Sequence, residues 1–125
     1  MSGPILMYAA SFILLGWGIA HLFPTRNVVK GFGEISTENK RIITMEWIIE
    51  GLALIFIGFL VAVTTYIDRT SPLARSVYTS CIVMLNILTV VSLFTGSRNS
   101  LIAFKLCPFI FTGSSILIAV GGILS

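Results

Sequence analysis

Charge is what this sequence has least of. Only 10% of its 125 residues are Asp, Glu, Lys or Arg, against about 25% in an ordinary soluble domain. It has five acidic residues, a single histidine and two cysteines. There is no CxxC pair, no histidine-rich metal pattern, no glycine-rich phosphate loop, no heptad run and no internal repeat. These absences argue against a zinc module, a disulfide scaffold, a nucleotide-binding loop and a coiled coil. One histidine with two carboxylates is a weak metal set, so neither a metal nor a cofactor is expected. The net charge of +3 is the excess that basic loops give a membrane protein, and implies no nucleic-acid partner.

Hydrocarbon is abundant instead: 56% of residues are hydrophobic and the mean hydropathy is +1.01. Four apolar stretches, Pro4 to Phe23, Ile42 to Ile67, Leu73 to Gly96 and Leu101 to Leu124, each approach the roughly 20 residues a membrane helix needs. The first lacks a basic n-region and an A-x-A site, and is expected to be a retained helix rather than a leader. The expectation is a single all-α domain over 1–125: an integral membrane four-helix bundle of antiparallel up-down topology. Its helices should run about 4–23, 37–67, 72–96 and 101–124.

Local chemistry supports these boundaries. Pro4 suits a first helical turn, and Pro24 closes the first helix. Ser36 or Thr37 can cap the second, with Glu38 near its positive end. Ser71-Pro72 provides a cap and a first helical position for the third, and Gly96-Ser97-Arg98-Asn99-Ser100 is the turn before the fourth. Both later connections are short, so the helices they join should be antiparallel neighbours. Arg26, Lys30, Lys40, Arg41 and Arg98 fall on one side, against Arg69 and Arg75 on the other. The positive-inside rule then places loops 24–36 and 97–100 in the cytoplasm and both termini outside, in a multi-pass cell or inner membrane protein. Loop 24–36, PTRNVVKGFGEIS, is long and rather apolar. It reads as an interfacial segment on the headgroups or as a lid over the bundle's mouth.

The unusual feature is a pair of carboxylates one helical turn apart, Glu46 and Glu50, inside the second apolar run. A charge at membrane depth costs about 2.5–3.5 kcal/mol on insertion scales, and spanning a membrane requires none. Counted along the helices, Glu46 should lie roughly 6–8 Å inside the cytoplasmic end of its helix, with Glu50 a turn deeper. His21, with Trp17 one turn away on the same face, and Lys105 should lie in the same half-membrane. Asn86 falls nearer the middle. Glu46 can pair with Lys105 to fix helix register; Glu50 has no basic residue of its own. Cys81 and Cys107 should differ in depth by more than the ~7 Å a disulfide spans. Gly16, Gly18, Gly51, Gly58, Gly113-Ser114-Ser115 and Gly121-Gly122 offer small faces for close helix packing.

The first helix ending GWGIAHLFPTRNVVKGF, the second reading Glu46-Trp47-Ile48-Ile49-Glu50-Gly51 with Gly58 beyond, and two further short-linked helices resemble the DoxX-like group of small four-helix membrane proteins. His21 stands where that group often has a lysine or histidine. The resemblance implies the bundle fold. The group includes quinone-linked oxidation subunits and assembly factors, so the resemblance selects no one activity.

Two function classes follow. The first is an acid–base enzyme or binder acting on a lipophilic, isoprenoid- or quinone-like molecule drawn from the bilayer. Glu50 would donate a proton, and ionised Glu46, supported by Lys105 or Arg41, would stabilise the opposite charge. His21 would relay protons, while Trp17, Trp47 and Asn86 would contact the substrate. The second is a non-enzymatic subunit, assembly factor or proton-coupled transporter whose Glu/Lys/His cluster fixes register or couples protons. The lipid bilayer and a lipophilic small molecule are the expected partners, and a homo-oligomer is left open.

Overall fold

The computed structural model describes residues 2–96 and 102–125, and these are all-α, without a strand. The elements are α1 (Ser2–Leu22), α2 (Thr25–Gly31), α3 (Thr37–Asp68), α4 (Pro72–Phe94) and α5 (Ile102–Ile118), the last closing in a π-helical turn at Ala119–Ile123. Among the described residues four helices are long and apolar enough to cross a membrane: Ser2–Leu22, Thr37–Asp68, Pro72–Phe94 and Phe104–Ile123. The protein is an integral, multi-pass membrane protein built as a four-helix bundle. Arg98 and the 97–100 turn lie outside the described residues.

The helix starts are capped by the expected hydroxyls. The Ser36 side chain accepts from the Asn39 N–H at 3.1 Å, and Ser71 accepts from the Ala74 N–H at 3.1 Å with Pro72 next in the chain. Each such cap contributes about 1 kcal/mol by satisfying a donor the helix leaves open. Helix α5 runs through Pro108 without interruption. Cys81 and Cys107 are both buried thiols.

The helices pack in the order α3, α1, α5, α4, and α3 touches α4 far less than it touches α1. The short Asp68–Ser71 connection therefore makes α3 and α4 weaker neighbours than its length implies. The reason is side-chain size. A Cβ on Gly18 would lie 2.8 Å from the Gly51 carbonyl oxygen, and one on Gly58 would lie 3.0 Å from that of Ser11. Glycine alone lets α1 and α3 approach so closely. Helix α4 instead turns Val83, Met84, Ile87, Val90 and Val91 outward, as a lipid-facing surface. Gly16 and Gly113, expected to be packing surfaces, face open space.

The register of α1 on α3 sets the depth of everything else. With Gly18 at Gly51 and Ser11 at Gly58, the antiparallel pairing brings the end of α1, Leu22, level with Trp47. The 21 residues of α1 span about 31 Å, close to the hydrocarbon thickness. Residues 37–46 of α3 therefore overhang the end of α1 by roughly 15 Å. Glu46 is therefore level with Phe23, just past the end of α1, and Glu50 lies one turn within the α1–α3 overlap.

Loop 24–36 is not a loop throughout. Its first half is helix α2, joined to α1 at Pro24, and it packs against the overhanging part of α3. The Thr25 hydroxyl donates to the Leu22 carbonyl at 2.6 Å, satisfying one acceptor left open at the end of α1. Gly33 has φ 77°, a left-handed conformation that glycine adopts without the steric cost of a Cβ; it turns the chain toward α3.

Candidate functional site

Trp47 organises the site. Its ring stacks on His21, with centroids 3.8 Å apart and planes inclined by 17°. Its indole N–H donates to the His21 carbonyl oxygen at 2.7 Å, satisfying another of the acceptors α1 leaves open at its end. Phe104, from the first turn of α5, meets Trp47 edge-on at 5.6 Å. One aromatic side chain of α3 thus ties together the end of α1 and the start of α5. Aromatic contacts of this kind contribute roughly 0.5–1.5 kcal/mol each beyond area burial.

The imidazole held by this stack reaches Glu50. His21 Nε2 lies 3.5 Å from Glu50 Oε2, with the two side chains 7% and 44% exposed. This is the one ion-pair geometry among the described residues. At 3.5 Å it is longer than a strong charge-assisted hydrogen bond, and the buried Nε2 has no hydrogen-bond partner. Glu46, one turn away on α3, is exposed and makes no ion pair among the described residues.

Between α2, α3 and α5 lies an open-sided cavity of about 960 Å³, lined by Pro24, Asn27, Val28, Gly31, Phe32, Ile43, Glu46, Trp47, Ile49, Glu50 and Phe104. This volume is at the upper end of the range for small-molecule pockets. Most of the wall follows a helical i, i+3, i+4, i+7 spacing: Pro24, at the start of α2, with Asn27, Val28 and Gly31 on one side, and Ile43, Glu46, Trp47 and Glu50 on the other, Ile49 standing off the stripe. Arg26 and Lys30 are exposed and absent from the lining. A second cavity of about 190 Å³, lined by Trp17, Ala20, His21, Pro24, Trp47, Phe104 and Cys107, shares three residues with the first. The aromatic pair Trp47–Phe104 stands between them.

Of the residues singled out from the sequence, Glu46, Glu50 and Trp47 line the larger cavity, and His21, Trp17 and Trp47 line the smaller one. Lys105 and Arg41 are exposed and belong to neither lining. Lys105, near the start of α5, forms no ion pair with Glu46. Asn86 lies elsewhere. Its amide donates to the Ser115 hydroxyl at 3.0 Å and to the Ile82 carbonyl at 2.7 Å. One turn on, Thr89 and Thr112 lie 3.3 Å apart. This short polar ladder holds α4 to α5. Sequence reasoning missed Phe104, Asn27 and Phe32 as wall residues. The four-residue stripe Pro24, Asn27, Val28, Gly31 was the available signal for α2, but it is too short to stand out beside a proline.

Chemically, the arrangement offers two carboxylates and an imidazole at the rim of an apolar, aromatic-walled space. Among the described residues no three His, Cys, Asp or Glu side chains converge as a metal set. No protein family, curated protein or solved structure matches the chain.

Proposed function

We propose that the protein binds a lipophilic small molecule in the cavity between α2, α3 and α5, taking it sideways from the bilayer, with Glu50 as the group that exchanges a proton with it. The observation that carries this reading is the 960 Å³ cavity whose apolar and aromatic lining contains two carboxylates. It lies at the level where α1 ends. A tail stays in hydrocarbon there while a polar head meets Glu46 and Glu50. His21 backs Glu50 at 3.5 Å and is the route for a proton between that carboxylate and the second cavity. Isoprenoid- and quinone-like molecules suit the volume, and acid–base chemistry on such a molecule needs only positioned carboxyl groups and an imidazole. The excess of basic residues near this end favours a cytoplasmic location for the cavity. Membership in the DoxX-like group belongs to the same proposal.

A second reading is supported by the Trp47 junction. The indole bond and the ring stack fix α1 against α3 whether or not a ligand is bound, as a purely structural cluster would.

The test uses the two tryptophans, since a quinone head quenches indole fluorescence on contact. Decylubiquinone added to the protein in phosphatidylcholine nanodiscs should quench Trp47 saturably. The Gly31→Phe variant, which places a ring where a Cβ would meet nothing within 4 Å, should fill the cavity and weaken that quenching at least roughly tenfold. Linear, non-saturable quenching that Gly31→Phe leaves unchanged would leave the structural reading standing.

A further inference from the structure

The charge around the larger cavity is one-sided. Among its described lining residues the ionisable groups are Glu46 and Glu50, and none is basic. The basic residues of the surrounding helices are sorted away from it. Arg26 and Lys30 occupy the opposite face of α2, Arg41 lies off the α3 stripe, and Lys105 is exposed on α5. Lys40 lies one turn beyond Ile43 on that stripe and is likewise absent from the lining. The acidic pair does not stand alone as a sign of a ligand. Trp47, Phe32 and Phe104 line the same space, and aromatic rings attract cations through their quadrupoles. His21 lines the smaller cavity and not this one, and its Nε2 lies 3.5 Å from Glu50 Oε2.

We infer that the ligand's head is cationic: the cavity selects a lipophilic ammonium, a hydrocarbon body carrying a single protonated amine. This rests on the lipophile-binding reading above and narrows it. An ammonium brings N–H donors to two carboxylates that otherwise have one imidazole between them, and it brings positive charge to a wall with three aromatic residues. An anionic head would meet two like charges. A neutral head would gain nothing from the charge of the two carboxylates. The apolar lining from Val28, Ile43 and Ile49 then accommodates the hydrocarbon body, and the open side leads to the bilayer.

The experiment is a competition among three molecules with the same ten-carbon tail. Decylammonium, decanol and decanoate are each titrated against decylubiquinone quenching in zwitterionic phosphatidylcholine nanodiscs at pH 7. Decylammonium should displace the quinone at a concentration roughly tenfold or more below decanol, as expected for a carboxylate and ring contribution of this kind, and decanoate should be weakest. In Glu46→Lys, an exchange at an exposed position, the order should invert, with decanoate displacing better than decylammonium. An inversion is a gain of binding, which misfolding cannot imitate. Equal displacement by all three in the native protein would overturn the ammonium head and leave the lipophile site intact. Absence of saturable quinone quenching in the first place would overturn the lipophile site itself.

Discussion

The two ends of this bundle handle their polar groups in opposite ways. At the end formed by the α3–α4 turn, polar side chains are bonded to protein. Thr65 donates to the Val61 carbonyl at 2.7 Å and meets the Tyr78 hydroxyl at 2.9 Å. Asp68 accepts from the Thr70 N–H and hydroxyl at 3.0 and 2.8 Å. Arg69 and Arg75 donate to the Gly121 and Ile123 carbonyls, clasping the π-helical turn that ends α5. A cavity at that end has about 120 Å³. At the α2 end the cavity is about 960 Å³, Glu46 has no ion-pair partner among the described residues and His21 Nε2 has no hydrogen bond. Buried polar groups are normally satisfied; the buried exceptions among the described residues are His21 Nε2 here and Ser114 Oγ in the middle of α5. The first end is closed by its own hydrogen bonds, whereas the second is incomplete in a way a ligand can complete.

That contrast predicts where mutations act on stability and where they act on binding. The largest effect belongs to the closed end. Tyr78 is 0% exposed, and Tyr78→Ala should lower unfolding stability by about 3–5 kcal/mol through the cavity it leaves. Thr65 keeps its Val61 bond, so little of that loss is a stranded hydroxyl. Denaturant titration in detergent micelles checks this, and a loss under about 1 kcal/mol would show that the α3–α4 contact near the turn is not part of the stable core. Trp47→Phe should be intermediate. It removes the indole bond to His21 and part of the stack, about 1–2 kcal/mol together, and it should also weaken decylammonium. Stability unchanged with binding lost would assign Trp47 wholly to the ligand.

The residue types that carried the sequence reading were those whose physics is local or set by composition. Four apolar runs specify four spanning helices because the bilayer fixes their length, and Ser36 and Ser71 specify helix starts because a capping bond is made within three residues. Glu46, Glu50 and His21 were legible as one cluster because helix rise converts position into depth. What stayed hidden depended on how the helices meet. The overhang of α3 follows from Gly18 sitting against Gly51, a pairing no single helix reveals. Phe104 reaches the site because α5 starts beside Trp47, and before the fold is known it is one apolar residue among many. Lys105 looked like the partner of Glu46 because depth alone does not say which way each side chain points around its helix. Asn86 was read as a substrate contact but bonds to Ser115 across the α4–α5 contact.

The smallest stability effect is the most discriminating. Glu46→Gln removes one charge from an exposed position with no ion-pair partner among the described residues, so unfolding stability should change by less than about 0.5 kcal/mol. Asp68→Ala, also at an exposed position, should be clearly destabilising, because Asp68 accepts two hydrogen bonds that hold the α3–α4 turn. Both substitutions remove an acidic side chain's charge near the edge of the apolar slab, one at each end. The expected outcome is therefore a crossed pattern in which Asp68→Ala alters denaturant stability and leaves decylammonium displacement alone, while Glu46→Gln does the reverse. If Glu46→Gln instead destabilises the protein as much as Asp68→Ala and leaves displacement unchanged, then Glu46 is a structural carboxylate, and the difference between the two ends is one of shape alone.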